Sequence, residues 1–264
     1  VNILYVGDVM GESGLQVVEQ IIPNLRKEKQ IDLVIAQAEN VSEGKGVKLK
    51  DFERLKKSGV DFCTGGNWSL HHDEIIQALQ DPNQPIIRPA NYPEGTPGLG
   101  HKYINVNNKK VLVISLLGSI VGKDADKITD NPLKKIDEIL EAESNTVRAA
   151  TIVNFHGDYS SEKVVIGHYL DGRVTLVVGD HWHVPTADAR VLPKSTAHIS
   201  DVGMCGVLNA SLGVTFDSVI PRWRDGKSTR NILATDGQRQ FNAVLVAVNK
   251  NGLADSIAQI QRVF

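Results

Sequence analysis

Asn2-Ile3-Leu4-Tyr5-Val6-Gly7-Asp8, Leu33-Val34-Ile35-Ala36-Gln37-Ala38-Glu39-Asn40 and Ala150-Thr151-Ile152-Val153-Asn154-Phe155-His156 share one pattern. In each, a short apolar run gives way within a few residues to a side chain of metal-ligand type. Val60 to Cys63 leads in the same way to Asn67, and Val174 to Val178 leads to His181 and His183. Buried strands that alternate with amphipathic helices predict an α/β fold, and open α/β sheets carry their sites at the carboxyl ends of strands. Taken singly, each side chain has a plainer reading. Asp8 could cap a helix, Glu39-Asn40 before Ser42, Gly44 and Gly46 could form a turn, and His156 could be a hydrogen-bonded structural histidine. Coincidence at five strand ends is harder to accept than convergence. His181 and His183, two apart in a continuing strand, are predicted to share one face. Seven oxygen and nitrogen donors exceed the needs of one tetrahedral zinc and suit two first-row ions such as Fe, Mn or Zn. Two ions about 3.5 to 4 Å apart can hold a phosphoryl group and polarise the attacking water, so the chemistry inferred is phosphoester hydrolysis.

The rest of the chain narrows the class. Its 264 residues, 41% hydrophobic, are enough for a substantial core in one α/β domain over residues 1–264 with two sheets in it. A formal net charge of -2 gives no broad basic footprint for duplex nucleic acid or a membrane surface, and leaves a small anionic substrate compatible. Cys63 and Cys205 lack CxxC spacing, which argues against a disulfide scaffold or zinc ribbon. The first residues read as a strand and not as a leader, and no run is long enough to span a bilayer, so a soluble, cytoplasmic protein is expected. Helical stripes are predicted at Leu15, Val18, Ile22 and Leu25 (with Pro23 within them), at Leu49, Phe52 and Leu55, at Ile75, Ile76 and Leu79, and at Leu133, Ile136 and Leu140. Val111 to Leu117 reads as a buried strand and Ser119 to Pro132 as a polar connection. Val164 to Leu170, the turn Asp171-Gly172 and Val174 to Val178 read as a hairpin, and so do Phe241 to Val248, Asn251-Gly252 and Ser256 to Val263.

Six ordered motifs carry a family resemblance: Gly7-Asp8-Val9-Met10-Gly11, Ala38-Glu39-Asn40 with Gly44-Lys45-Gly46, Gly66-Asn67, Phe155-His156 with Ser161-Glu162-Lys163, Gly179-Asp180-His181-Trp182-His183-Val184, and Asp201-Val202-Gly203-Met204. Arg88-Pro89-Ala90-Asn91-Tyr92 and Thr186-Ala187-Asp188 extend it over essentially the whole chain. The sequence resembles the bacterial YmdB-like metallophosphoesterases, relatives of the calcineurin-like phosphoesterases. The resemblance implies a four-layer α/β/β/α sandwich and a dinuclear centre, often iron. It implies that Asp8, Asn40 and His183 hold one ion, that Asn67, His156 and His181 hold the other, and that Glu39 bridges them. The implied activity is phosphodiester hydrolysis of cyclic nucleotides (2′,3′- and 3′,5′-cyclic AMP) by metal-bound hydroxide, in a homo-oligomer.

The departures concern the chemistry. Where the family pattern continues Gly-Asn-His-Thr-Trp, with that His as proton donor, this chain has Gly66-Asn67-Trp68-Ser69-Leu70. Indole cannot protonate a leaving alkoxide, and loss of a general acid costs about 10² to 10⁴ in rate. His71 is a candidate replacement, with the alternative that it and His72 are polar residues at the start of the next helix. Trp68 reads either as a stacking platform for a base or as a rim residue. Asn154 stands where the family has Asp, which is expected to weaken the negative charge behind the metals. Asp180, where the family has Thr, either orients an imidazole or faces solvent. Trp68 and Trp182 together predict a narrower, more apolar entrance. Two functions follow: a working phosphodiesterase with altered leaving-group handling, or a catalytically impaired, metal-retaining protein that captures a nucleotide or phosphate.

Overall fold

The computed structural model describes residues 1–122 and 128–264. Its first sheet contains β1 (Asn2–Val6), β2 (Asp8–Val9), β3 (Leu33–Gln37), β4 (Phe62–Thr64), β11 (Met204–Val207), β12 (Arg239–Val248) and β13 (Ala254–Val263). The order is β2-β11-β12-β1-β3-β4, with β13 on the free side of β12. The second sheet runs β5 (His101–Val106), β6 (Lys109–Leu117), β7 (Ala150–His156), β8 (Leu176–Asp180), β10 (Ala197–Ile199), β9 (Arg190–Val191).

Strand alternation explains the layering. Ile3, Tyr5, Leu33 and Ile35 face inward and pack on Val111, Val113, Ile152, Leu176 and Val178 of the second sheet. Leu4, Val6, Val34 and Ala36 face outward, against Leu15, Val18, Ile22 and Leu25 of α1 (Gly11–Glu28) and Phe52 and Leu55 of α2 (Leu49–Lys57). On the far side Leu112, Ile114, Val153 and Phe155 bury Ile136 and Ile139 of α4 (Pro132–Ala142) and Ile166 of α5 (Ser160–Tyr169). Period-2 faces buried on both sides stack the chain as helix, sheet, sheet, helix. This is the four-layer sandwich expected. The stripe at Ile75, Ile76 and Leu79 forms a 3₁₀ turn (Asp73–Ile75) running into the short α3 (Ile76–Gln80). Pro23 lies within α1 without ending it.

One expected element is wrong. Val164 to Leu170 is not the first arm of a hairpin but the body of α5, because β7 and β8 pair in parallel and need a crossover. The β-branched run misled: Lys163, Ile166 and Leu170 are buried at helical spacing, while Val164 and Val165 lie exposed. Gly167 lets the helix sit on the second sheet, since a Cβ there would lie 2.7 Å from the His198 ring. The hairpin of β12 and β13 and the strand β6 match expectation. Of the polar connection from Ser119 to Pro132, residues 123–127 lie outside the described residues, and Pro132 opens α4.

Candidate metal centre

Strands β1, β3 and β4 are mutually parallel in one sheet and β7 and β8 in the other, so their carboxyl ends meet at one edge of the sandwich. Asp8, Glu39, Asn40, Asn67, His156, His181 and His183 are all brought there. Donor atoms of Glu39, His156 and His181 lie within 4.8 Å of one another. His156 Nε2 is 2.9 Å from Asn67 Oδ1 and 2.9 Å from Glu39 Oε1. His183 Nε2 faces Asn40 Oδ1 at 3.3 Å and Asp8 Oδ1 at 3.8 Å. The donors therefore fall into two neighbouring sets, with Glu39 in the first and Asp8 in the second.

His156, Glu39, Asn40 and His183 are each aimed by a second contact. Asp180 Oδ1 lies 2.7 Å from His156 Nδ1, which turns Nε2 toward Asn67 and Glu39. Asp180 Oδ2 accepts from Tyr5 Oη (3.0 Å), Gln37 Nε2 (3.0 Å) and Asn154 Nδ2. The negative charge behind the site is thus not weakened by Asn154; Asp180 supplies it from the adjacent strand and Asn154 donates to it. Glu39 Oε2 accepts from the Trp68 backbone N–H (2.9 Å), and Asn40 Nδ2 donates to Gly44 O (2.9 Å), which leaves Asn40 Oδ1 facing inward. His183 Nδ1 donates to Leu212 O (3.2 Å), so Nε2 presents its lone pair.

His181 and His183 do not lie on one face of a continuing strand. β8 stops at Asp180, and both histidines hold left-handed backbone, with φ of 101° and 62°. Such conformations are costly for residues other than glycine and persist only where their surroundings hold them. Here the hold is a fully buried ion pair. Lys163 Nζ donates to Asp180 O and to Asp201 Oδ2, each at 2.7 Å, and Asp201 Oδ2 also accepts from Trp182 N (2.9 Å). Trp182 lies over this ammonium, 4.0 Å from ring centroid to Nζ, and its Nε1 donates to Asp158 O. Trp182 therefore covers the ion pair and clamps the histidine loop, a structural duty the sequence does not reveal. Lys163, Asp201, Tyr5 and Gln37 escaped sequence reasoning as supports. Their only signals were a charged pair inside two of the quoted motifs and polar residues within apolar strands. Asp158 was also missed; its Oδ2 lies 3.4 Å from His181 Nε2.

The electrostatics fit a cation. Two fully buried carboxylate oxygens, Asp8 Oδ1 and Glu39 Oε1, make no hydrogen bond. The 2.9 Å approach of Glu39 Oε1 to His156 is an ion-pair contact without hydrogen-bond alignment. Such groups are expensive to bury unless something positive sits against them. Burial raises the Asp8 pKa, and the nearby Asp180 charge raises it further. Burial also opposes charge on His156 and Glu39, but their mutual attraction wins: His156 is held well above the imidazole range and Glu39 below the usual carboxylate range, and a metal at His156 Nε2 would displace that proton. Burial, with His181 nearby, pushes His183 down to about 4, so it stands neutral as a ligand must.

Trp68 is half-buried beside the centre, with Lys45 Nζ 4.3 Å from its ring centroid and His71 packed edge-on at 5.3 Å. His72 precedes the 3₁₀ turn and bonds Lys45 O through Nε2 at 2.9 Å.

Fold and site together define a protein of the metallophosphoesterase class. The model of the family described as "YmdB-like protein" matches residues 4–260, and the chain belongs to that family. A 2′,3′-cyclic-nucleotide 2′-phosphodiesterase of Bacillus subtilis is 37% identical over 94% of this chain and 91% of its own length. A crystal structure of a hypothetical protein from Thermus thermophilus superposes with TM-score 0.90 at 34% identity, covering 100% of this chain and 99% of the other. A phosphatase structure from Mycoplasma pneumoniae gives 0.91 at 29% identity, covering 100% and 93%. The chain is accordingly an enzyme of the phosphoester-hydrolysing class. Among the described residues no helix is long and apolar enough to cross a membrane.

Proposed function

We propose that the chain is a dinuclear metal-dependent phosphodiesterase acting on 2′,3′-cyclic nucleotides. In this reading Asp8, Asn40 and His183 would hold one ion and Asn67, His156 and His181 the other, with Glu39 available to both. The observation that carries it is the pair of buried carboxylate oxygens without hydrogen bonds, set among three inward-facing imidazoles. The activity named for the Bacillus relative supports the substrate class. Fe, Mn and Zn all suit the donor set.

Two ions bound there supply Lewis acidity toward the phosphoryl oxygens and acidify the attacking water. The protein's part is preorganisation: Asp180 fixes the His156 ring, the Trp68 N–H fixes Glu39, and the Lys163–Asp201 pair fixes the loop of His181 and His183. Water adds to phosphorus, one ring P–O bond breaks, and the released alkoxide takes a proton to become a ribose hydroxyl. The Trp68 indole cannot deliver that proton, and we assign the role to His71, whose ring packs edge-on against Trp68 at 5.3 Å.

Elemental analysis of protein purified without chelator, paired with turnover of 2′,3′-cyclic AMP and bis-p-nitrophenyl phosphate, tests the reading. Near two metals per chain with metal-dependent turnover supports it. Metal without turnover of either ester would leave a phosphate-capturing protein. Trp68→His should raise activity on the cyclic nucleotide, by up to about 10²- to 10⁴-fold, far more than on the phenolic ester. Equal gains on both would remove the missing-acid account.

A further inference from the structure

A cleft of about 920 Å³, at the upper end of volumes that hold small ligands, is lined by the loop whose Gly44 O accepts from the donor residue Asn40. One wall is the Ser42–Gly46 loop that anchors Asn40, together with His71 and His72; the other is the end of α6 (Phe216–Asp225) and the segment after it. The walls are cationic. Lys45 projects from the first, and Arg222, Lys227 and Arg230 from the second. Among the described lining residues the one acid is Glu43, already paired with Lys48 at 2.9 Å; just outside the lining, Asp225 is shared between Arg224 at 2.8 Å and Lys227 at 3.8 Å. Arg222 is preset, since its Nη2 donates to Thr229 O, Thr229 Oγ1 and Asn231 Oδ1. The floor is apolar, formed by Met10, Val214 and Leu233.

Neither feature serves the hydrolysis of one cyclic phosphate. Cations lining a cleft next to the loop that holds Asn40 suit additional phosphates, and an apolar floor between them suits base faces, which inorganic polyphosphate lacks. The chain as a whole is slightly acidic, so this basic track is local and fits a short single strand, not a duplex. We infer that the cleft receives the penultimate nucleotides of a single-stranded oligoribonucleotide whose terminal 2′,3′-cyclic phosphate lies at the metal centre. This inference rests on the phosphodiesterase reading above and extends its substrate from a mononucleotide to an RNA end. The reaction is unchanged: one water is consumed, one P–O bond of the ring opens, and the chain keeps a terminal monophosphate.

Two measurements on the metal-loaded protein test it. The first compares kcat/KM for 2′,3′-cyclic AMP with that for penta-adenylate ending in a 2′,3′-cyclic phosphate. The second follows binding of fluorescein-labelled penta-adenylate with a 3′-monophosphate by anisotropy across a salt series. The oligonucleotide should be preferred at least tenfold. In K227A/R230A that preference should fall toward one, and the log–log salt slope of binding should become shallower by about 1.4, given about 0.7 per phosphate contact on a single strand. Both side chains are on the surface, and a thermal melt confirms that the double variant is folded. Mononucleotide turnover with no oligonucleotide preference, or equal binding by parent and variant, overturns the inference and leaves the phosphodiesterase reading standing. Salt-dependent binding lost in the variant, with no hydrolysis of either substrate, does the reverse.

Discussion

Gly66→Ala is the sharpest test of how the centre is packed. Gly66 lies between β4 and Asn67, and its φ is outside the left-handed region, so alanine meets no backbone penalty and its effect is steric alone. A Cβ there would stand 2.5 Å from His156 Cδ2 and 2.6 Å from Cγ, and nearer still to Glu39 Oε2. Carbon atoms rest at about 3.5 to 4.0 Å, so the imidazole must retreat by about 1 Å. It cannot do so freely, because Nδ1 is held 2.7 Å from Asp180 and Glu39 Oε2 is bonded to the Trp68 N–H. Overpacking of this kind costs about 1 to 3 kcal/mol of stability, and a displacement of about 1 Å at a reacting site costs about 10² in rate. We expect a folded protein with kcat/KM on bis-p-nitrophenyl phosphate lowered about a hundredfold and with reduced metal content by elemental analysis. A G66A protein with parental turnover and metal content would refute the claim that His156 and Glu39 are fixed where they work.

Asp180→Asn places an amide where Tyr5, Gln37, Asn154 and His156 converge, so it should weaken metal affinity about 10- to 100-fold by chelator competition; unchanged affinity would deny Asp180 its orienting role. Lys163→Met leaves Asp201 buried without its cation and should cost about 3 to 5 kcal/mol in denaturant unfolding, whereas a loss under about 1 kcal/mol would show that the pair does not hold the histidine loop. His198 is buried against Gly167 and donates from Nδ1 to Val177 O, and burial lowers its pKa from the ordinary 6.5. The unfolded chain therefore takes up its proton first as pH falls through 6.5, and this residue makes the fold less stable in acid with a slope of at most about 1.4 kcal/mol per pH unit. Stability measured from pH 7.5 down to 5 should fall less steeply in His198→Asn, and parallel profiles would exclude the residue as a source.

Much of the site was legible because strand chemistry is local. An apolar run of four or five residues ending in a carboxylate, carboxamide or imidazole marks both a strand and the direction in which it ends, and parallel packing does the rest. The sequence alone therefore determined that Asp8, Glu39, Asn40, Asn67, His156, His181 and His183 would gather, and that two sheets would lie between helices. It failed where local preference and long-range pairing disagreed. Val164, Val165 and Ile166 carry β-branched side chains, yet the parallel pairing of β7 with β8 demands a crossover helix, and only the assembled sheet imposes that requirement. The left-handed backbone of His181 and His183 was equally hidden, because it is held by Lys163 and Asp201, which are distant in sequence and meet through burial. The same holds for Asp180: whether its carboxylate faced water or His156 depended on Tyr5, Gln37 and Asn154 arriving from three other strands. Composition and periodicity report which residues are buried. Which buried charges meet is a property of the tertiary structure, since a charge that leaves water needs a partner and the chain can bring that partner from any distance.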